Sequence, residues 1–271
     1  MVANKYIFCR SNDDFLTVKV FGEGKKKIIA FHGYGQDSEV FRQLSDLDPE
    51  LTVYSFDLFY HGLSSLPPVN PPLTAARLAQ IFSDFLLQAS LEKFSVIGFS
   101  MGGKYALSII SSFPDMVDKV ILVAPDGIKK DFWYQLATRS IAVRWIFRKV
   151  VDHPEILRKT AFLLDRLNLV DGRVRKFALN EMNTREKRIR VYQSWIFHRH
   201  LFVNLGEIAE KIRREKIEVV FVLGKHDRII TPKYIIPLKK LLTASEVKEL
   251  SCGHTTLLQR FQEKFRELVK I

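Results

Sequence analysis

The stretch from Phe94 to Phe113 limits what the rest of the chain can fold into. Its apolar start, Phe94 to Ile97, is short enough to be a buried strand, and its second half repeats apolar residues with helical spacing. A strand that passes into a helix through Gly98 and Gly102 predicts a very tight turn with Ser100 at the apex. We expect Ser100 to adopt a positive φ and to hold its hydroxyl over the helix N-terminus, where negative charge is favoured.

This Gly-x-Ser-x-Gly turn resembles the nucleophile elbow of the α/β-hydrolase superfamily. The resemblance extends, in chain order, to His32–Gly35, to Asp57–Ser64 and to Asp227 with His254. It implies an α/β fold with a mainly parallel central sheet, helices on both faces and an inserted helical cap. The Asp57–Ser64 loop departs from the family pattern Asp-x-x-Gly-x-Gly-x-Ser at Tyr60-His61, because Tyr60 stands where the pattern has its first glycine. The alternative to a nucleophilic role for Ser100 is a Gly-rich turn in which the serine only caps the helix.

Strand and helix patterns alternate through residues 1–127 and resume through 213–271, which predicts one α/β core domain. Residues 128–212 contain no convincing strand but several amphipathic helical segments, and we interpret them as the cap. Within the core we expect helices over about 38–47, 73–89, 232–242 and 255–269.

A serine hydroxyl is a weak nucleophile until an oriented base removes its proton. Asp227 follows an apolar strand pattern and His254 follows the last one, in the chain order of the superfamily. We therefore predict a catalytic triad of Ser100, His254 and Asp227 at the carboxyl edge of the sheet. His226 remains a competing base, and Asp126 is the first substitute for the acid.

Acyl transfer also needs donors for the oxyanion of the tetrahedral intermediate. The resemblance assigns this oxyanion hole to the backbone N–H groups of Met101 and Tyr34, and it requires no cofactor and no metal. His198 and His200 lie two residues apart without carboxylate or thiolate companions, so they are a poor metal site.

The net charge of +12 is concentrated in residues 129–190, which carry a net charge of +9. No nucleic-acid motif accompanies this charge, so a solvated basic helical face is favoured over nucleic-acid binding. Aromatic and aliphatic residues interleave with arginines there, which suits either a membrane surface or, preferably, a cap helix that closes a pocket. Arginines roofing such a pocket would favour substrates with a remote anionic group. The residues concerned are Phe132, Trp133, Trp145, Ile146 and Phe147, with Arg139, Arg144 and Arg148.

The chain has two cysteines, no apolar run long enough to cross a membrane, and no basic-then-apolar pattern near Met1. These features predict a cytoplasmic location. The expected function is a serine hydrolase acting on an ester or thioester of a small or medium acyl substrate. The alternatives are a carbon–carbon bond hydrolase or lyase, a membrane-surface lipase or lysophospholipase, and a non-catalytic ligand receptor. The oligomeric state stays open.

Overall fold

The computed structural model describes residues 5–11, 14–129, 132–156, 159, 162 and 172–269. In this part of the chain, eight strands form one sheet in the order β1-β2-β4-β3-β5-β6-β7-β8. The strands are β1 (Lys5–Ser11), β2 (Asp14–Phe21), β3 (Lys26–Phe31), β4 (Leu51–Phe56), β5 (Phe94–Phe99), β6 (Val117–Val123), β7 (Glu218–Gly224) and β8 (Glu246–Leu250).

Strand direction divides the sheet into a hairpin and a parallel array. β1 and β2 pair antiparallel, and β2 pairs antiparallel with β4. The remaining neighbours all pair parallel, from β4 and β3 through β5, β6 and β7 to β8. The mainly parallel sheet predicted from the sequence is therefore confirmed. The carboxyl ends of six strands meet at one edge, where an open α/β sheet binds its ligands.

The α-helices of the described residues are α1 (Arg42–Leu47), α2 (Ala75–Ala89), α3 (Gly102–Ser112), α4 (Phe132–Arg139), α5 (Ile141–Asp152), α6 (Gly172–Glu181), α7 (Arg185–Phe197), α8 (Leu205–Arg214), α9 (Ile236–Lys239), α10 (His254–Glu263) and α11 (Phe265–Leu268). Short 3₁₀ turns cover Ser38–Phe41, Pro114–Met116, His198–His200 and Pro232–Tyr234.

Helices pack on both faces of the sheet, because successive strand residues point to opposite sides. On one face, Phe31 of β3 contacts Phe82 of α2 and Tyr105 of α3. On the other face, Ala30 belongs to the buried cluster that includes Phe261 of α10. Both faces of β4 and β5 are buried throughout, as expected for central strands covered by helices on each side.

The described chain divides into two compact units. The sheet unit consists of residues 1–67, 74–129 and 201–271, and the helical unit of residues 68–73 and 130–200. Within the helical unit, the described residues form helices α4 to α7 and no strand. The division differs from the predicted boundary at residue 212, because α8 packs against α3 and Lys211 Nζ donates to the Ser111 carbonyl at 2.6 Å.

Some predicted helices are shorter than expected. The segment predicted over 232–242 is a 3₁₀ turn followed by the four-residue α9. Pro237 explains why the α-helix begins only at Ile236, because proline has no N–H to donate and is accommodated only in the first turn of a helix. The segment predicted over 255–269 divides into α10 and α11 at Lys264, and the one predicted over 38–47 begins as a 3₁₀ turn.

Cys9 and Cys252 are both buried free thiols, so the described residues form no disulfide. Across the described residues, every helix is too short or too polar to cross a lipid bilayer.

Candidate active site

Ser100 lies at the turn between β5 and α3 with φ +49°, the strained left-handed conformation expected for it. Three backbone hydrogen bonds hold this turn. The Ser100 N–H donates to the Val123 carbonyl at 3.0 Å, and the Ser100 carbonyl accepts from Gly103 and Asp126, each at 2.8 Å. These bonds tie the apex to both β6 and the first turn of α3, so the hydroxyl is held in one place.

The glycines on either side of Ser100 are required by close packing. A Cβ on Gly102 would lie 2.1 Å from the Phe31 carbonyl oxygen at the end of β3. A Cβ on Gly98 would lie 2.8 Å from both the Ala106 Cβ and the Gly102 carbonyl oxygen. Neither position has room for a side chain. The same contact brings the elbow against the start of the His32–Gly35 loop.

Ser100, His254 and Asp227 form one chain of hydrogen bonds. The Ser100 Oγ lies 3.1 Å from His254 Nε2, and His254 Nδ1 lies 2.7 Å from Asp227 Oδ2. Because a carboxylate can only accept, Nδ1 carries the ring proton and Nε2 is left to accept from the serine. Phe99 stacks on the imidazole with ring centroids 5.2 Å apart, which fixes the plane of the ring.

The Asp227 carboxylate is held from its other side by backbone donors. Its Oδ1 accepts from the N–H groups of Ile229 at 2.8 Å and Ile230 at 2.9 Å, and the residue is 3% exposed. The two backbone donors fix Oδ1, which leaves Oδ2 directed at the imidazole. The carboxylate is thus oriented before any substrate arrives.

The two competing residues lie elsewhere. His226 Nε2 is 3.4 Å from Ser251 Oγ, and it makes no hydrogen bond to Ser100. The Asp126 carboxylate binds buried Lys104 Nζ at 3.0 Å and the Gly127 N–H at 2.6 Å, and it makes no contact with His254. Asp126 therefore braces the elbow through its backbone and Lys104 instead of orienting the imidazole.

Two buried histidines shape the loop that carries Tyr34. His32 Nε2 accepts from the Leu58 N–H at 3.1 Å, so its Nδ1 carries the proton and donates to the Gly33 carbonyl at 2.7 Å. His61 Nε2 accepts from the Gly35 N–H at 3.0 Å. Burial lowers the pKa of His32 below its ordinary value, so this side chain is neutral at pH 7.

The Asp57–Ser64 loop is held by hydrogen bonds to its own first residue, Asp57. Asp57 is fully buried, and its two carboxylate oxygens accept from the N–H groups of Ser38 at 2.7 Å and Leu63 at 2.9 Å. Tyr60 and Gly62 take positive φ values of 67° and 52°, so Tyr60 adopts the left-handed backbone that suits the glycine of the family pattern at this position. The departure from the family pattern thus changes the loop and brings His61 to the Tyr34 loop.

These contacts show what the sequence left unseen. Three further residues support the site: Lys104, Gln36 and His61. The Gln36 side chain accepts a hydrogen bond from the Gly33 N–H at 3.0 Å, and His61 accepts one from the Gly35 N–H. Only the three-dimensional contacts identify Lys104 and Gln36. For His61, the Asp-x-x-x-His spacing was a signal, but its partner lies 26 residues away.

His198 and His200 lie in a 3₁₀ turn of the helical unit, and His198 Nδ1 binds the Ser194 carbonyl at 2.6 Å. No group of three metal-ligating side chains occurs among the residues that the structure describes. In the basic segment, Phe147 packs inward on Tyr192 and Trp195, whereas Trp145 and Ile146 are exposed. The side chains of Phe132 and Trp133 lie outside the described set.

The chain belongs to the α/β-hydrolase family, since residues 27–261 match the model of the alpha/beta hydrolase fold. It is 27% identical over 208 residues to esterase YbfF of Escherichia coli, covering 76% of this chain and 77% of that protein. It is 32% identical over 114 residues to the uncharacterized protein Rv2715 of Mycobacterium tuberculosis, covering 42% of this chain.

The matched segment spans only about a third (33%) of that mycobacterial relative's length. Among solved structures, a thermophilic esterase from Thermogutta terrifontis superimposes with a TM-score of 0.69 at 16% identity. That match covers 98% of this chain and 97% of the esterase. At this identity it shows the shared fold.

Proposed function

We propose that the protein is a serine hydrolase that cleaves a carboxylic ester or thioester of a small or medium acyl substrate. The observation that carries the proposal is the continuous hydrogen-bond chain from Asp227 through His254 to Ser100, with the serine on a strained turn. Membership of the α/β-hydrolase family and similarity to an esterase over 76% of the chain support it.

In the first half-reaction, Ser100 Oγ attacks the acyl carbon while His254 Nε2 takes its proton. Asp227 holds the Nδ1–H and stabilises the positive charge on the imidazole. The oxyanion accepts hydrogen bonds from the backbone N–H groups of Met101, which directly follows the nucleophile, and Tyr34. His254 then donates its proton to the leaving alcohol or thiol, and an acyl-enzyme on Ser100 remains.

In the second half-reaction, His254 removes a proton from water, and the resulting hydroxide attacks the acyl-enzyme through a second oxyanion. The acid leaves and Ser100 regains its proton. Each oxyanion-hole donor of this kind contributes roughly 2.7–4 kcal/mol to transition-state stabilisation. His32 and His61 hydrogen-bond to the loop that carries Tyr34, so they would affect the rate by fixing the position of the Tyr34 N–H.

A fluorophosphonate probe tests the nucleophile directly. The wild-type protein should react once per chain, and peptide mass spectrometry should find the adduct on Ser100. Ser100→Ala should remain unlabelled, while Ser112→Ala, which changes a serine at the far end of α3, should label normally. An unlabelled wild-type protein would favour a non-catalytic ligand receptor.

A panel of esters and thioesters of graded acyl length then tests the bond that is cleaved. Matched neutral and anionic members also test whether the basic segment prefers an anionic substrate, by comparing kcat/KM at low and high salt. If the probe labels Ser100 but no member of the panel turns over, a carbon–carbon bond hydrolase on the same three residues becomes the better assignment.

A further inference from the structure

Helix α5 has two apolar sides, although a helix needs only one to pack. One side faces the interior of the helical unit: Val150 and Val151 are buried and Phe147 contacts Tyr192 and Trp195. The other side is exposed. On it, Ile141 is 78% exposed, Trp145 63% and Ile146 46%.

These exposed residues form one continuous strip with basic side chains, here named the α5 outer face and consisting of Ile141, Trp145, Ile146, Arg148 and Lys149. Residues four apart lie above one another on a helix, so Ile141, Trp145 and Lys149 form a row. Lys149 Nζ lies 5.3 Å from the Trp145 ring centroid, and both basic side chains are exposed.

The described acids at the end of α5 form their salt bridges with side chains outside the α5 outer face. Asp152, at the end of α5, pairs with Arg185 at 2.9 Å. Glu155 pairs with His153 at 3.2 Å. The pKa of Asp152 is lowered by Arg185 and, to a smaller extent, by Arg148, but neither carboxylate forms a salt bridge with Arg148 or Lys149 in the part of the chain that the structure describes. The strip is therefore both apolar and positively charged.

We propose that the α5 outer face docks on the surface of an anionic phospholipid bilayer. Tryptophan and isoleucine side chains enter the boundary between headgroups and acyl chains, where the amphipathic indole ring is stable. Arginine and lysine bind the phosphate groups around them. A second copy of the chain fits this face poorly, because a two-fold interface would bury Arg148 and Lys149 of both copies, and the face itself carries no acid to pair with them.

This docking is separate from the proposed hydrolase activity, because none of the five residues of the α5 outer face belongs to the triad. Binding is therefore measured with the full-length Ser100→Ala protein as well as the wild type. Equal vesicle binding by the two would show that docking needs no chemistry, and a failure of either proposal would leave the other standing.

The experiment measures co-sedimentation with vesicles of phosphatidylcholine alone and of equal parts phosphatidylcholine and phosphatidylglycerol. We expect binding to the anionic vesicles that weakens as salt screens the charges. The double variant I141S/W145S should bind at least about tenfold more weakly. The double variant R148Q/K149Q should lose about 30-fold in affinity for anionic vesicles, if each cation contributes as surface cations usually do.

Matched controls lie in the sheet unit. Leu87, 78% exposed on α2, is changed to serine, and the exposed pair Lys233 and Lys240 is changed to glutamine. Both controls should bind like the wild type, and circular dichroism checks that every variant is folded. The proposal is overturned if wild-type protein ignores anionic vesicles, or if the controls weaken binding as much as the α5 variants. It is also overturned if these variants abolish self-association or single-stranded RNA binding while vesicle binding is unchanged.

Discussion

The sheet unit and the helical unit hold buried charged side chains with different backbone groups. In the sheet unit, the buried acids are held in fixed positions: Asp227 by two backbone N–H groups and a histidine, and Asp57 by two N–H groups. In the helical unit, the buried charges are arginines. Arg188 donates to the carbonyls of Val151 and Met182, at the ends of two helices.

A second buried arginine of the helical unit follows the same rule. Arg199 donates to the carbonyls of Val69 and Ile196 and to the Asn70 side chain, and burial lowers its pKa below the ordinary value. Carbonyls and helix C-termini carry partial negative charge, so they stabilise a guanidinium without a carboxylate. The comparison teaches that backbone N–H groups fix these buried acids of the sheet unit, whereas backbone carbonyls hold the buried arginines of the helical unit.

The largest expected effect is the loss of catalysis when the nucleophile of the sheet unit is removed. Ser100→Ala should lower kcat on the order of 10⁶-fold, because no other group supplies the nucleophile. The fold should be unchanged, since the hydroxyl's only described hydrogen bond is the one to His254. Steady-state kinetics and thermal unfolding measure both, with Ser112→Ala as the control. A variant that keeps most of its ester hydrolysis would contradict the assignment.

The next effect separates the two acids near the elbow. Asp227→Asn should lower kcat by about 10⁴-fold, because an amide at this position favours the wrong tautomer of His254. Asp126→Asn should stay within about tenfold of wild type in kcat, since its carboxylate serves Lys104. It should instead be less stable, because it leaves that buried lysine without its carboxylate. The reverse ranking of kcat would make Asp126 the acid.

A smaller effect tests the buried cations of the helical unit. Arg188→Met leaves the Val151 and Met182 carbonyls without this donor, at a cost of about 1–3 kcal/mol. Hydrogen exchange should accelerate in α5 and α7, while the strands of the sheet unit keep their protection. The control is Arg185→Met, which removes an exposed pair and should change exchange little. Uniform acceleration in both units would contradict a local role.

His32 links the stability of the sheet unit to pH. Its folded-state pKa is lowered by burial, so below about pH 6.5 the unfolded chain binds a proton that the native chain does not. Unfolding free energy should therefore fall as pH drops, by up to about 1.4 kcal/mol per pH unit from this residue. His32→Gln, which keeps a donor and an acceptor, should flatten that slope in urea titrations. An unchanged slope would show that other groups cause the acid lability.

The smallest effect contrasts His32 with His200 of the helical unit. The pKa of His200 is lowered first by partial desolvation of its ring and then by the cations Arg199, Arg139 and Arg144. Because His200 is exposed, salt should screen these arginines and raise its pKa towards the ordinary value. The pKa of fully buried His32 should not respond to salt. Nuclear magnetic resonance titration of the two imidazoles at low and high salt checks this, and equal responses would remove the contrast.

Much of the sheet unit followed from sequence, because its signals are local. A tight turn between a buried strand and a helix requires small residues beside its apex, and Gly98, Ser100 and Gly102 meet that need within five positions. Continuous apolar runs predict strands buried on both faces, and the runs 28–31 of β3 and 219–223 of β7 are buried in this way. The order of Asp227 and His254 after their strands then predicted where the two side chains would meet Ser100.

Helix boundaries and domain limits followed less well, because packing decides them. The amphipathic pattern of α8 fits any apolar surface, and only contact with α3 assigns it to the sheet unit. In the same way, the pattern of α5 shows which residues share a side of the helix. It does not show that Phe147 is packed inward while Trp145 is exposed.

The sequence by itself determined the fold, the family and the three side chains of the candidate triad. The reason is that the tight turn and each strand are specified by residues close together in the chain, and their order can be read directly. Only the tertiary structure decided that Asp126 serves Lys104, that His61 holds Gly35, and that α5 has a second apolar side exposed. Each of these depends on which distant segments come into contact. Such contacts are set by the packing of the whole chain, and no residue spacing in a single sequence identifies both partners.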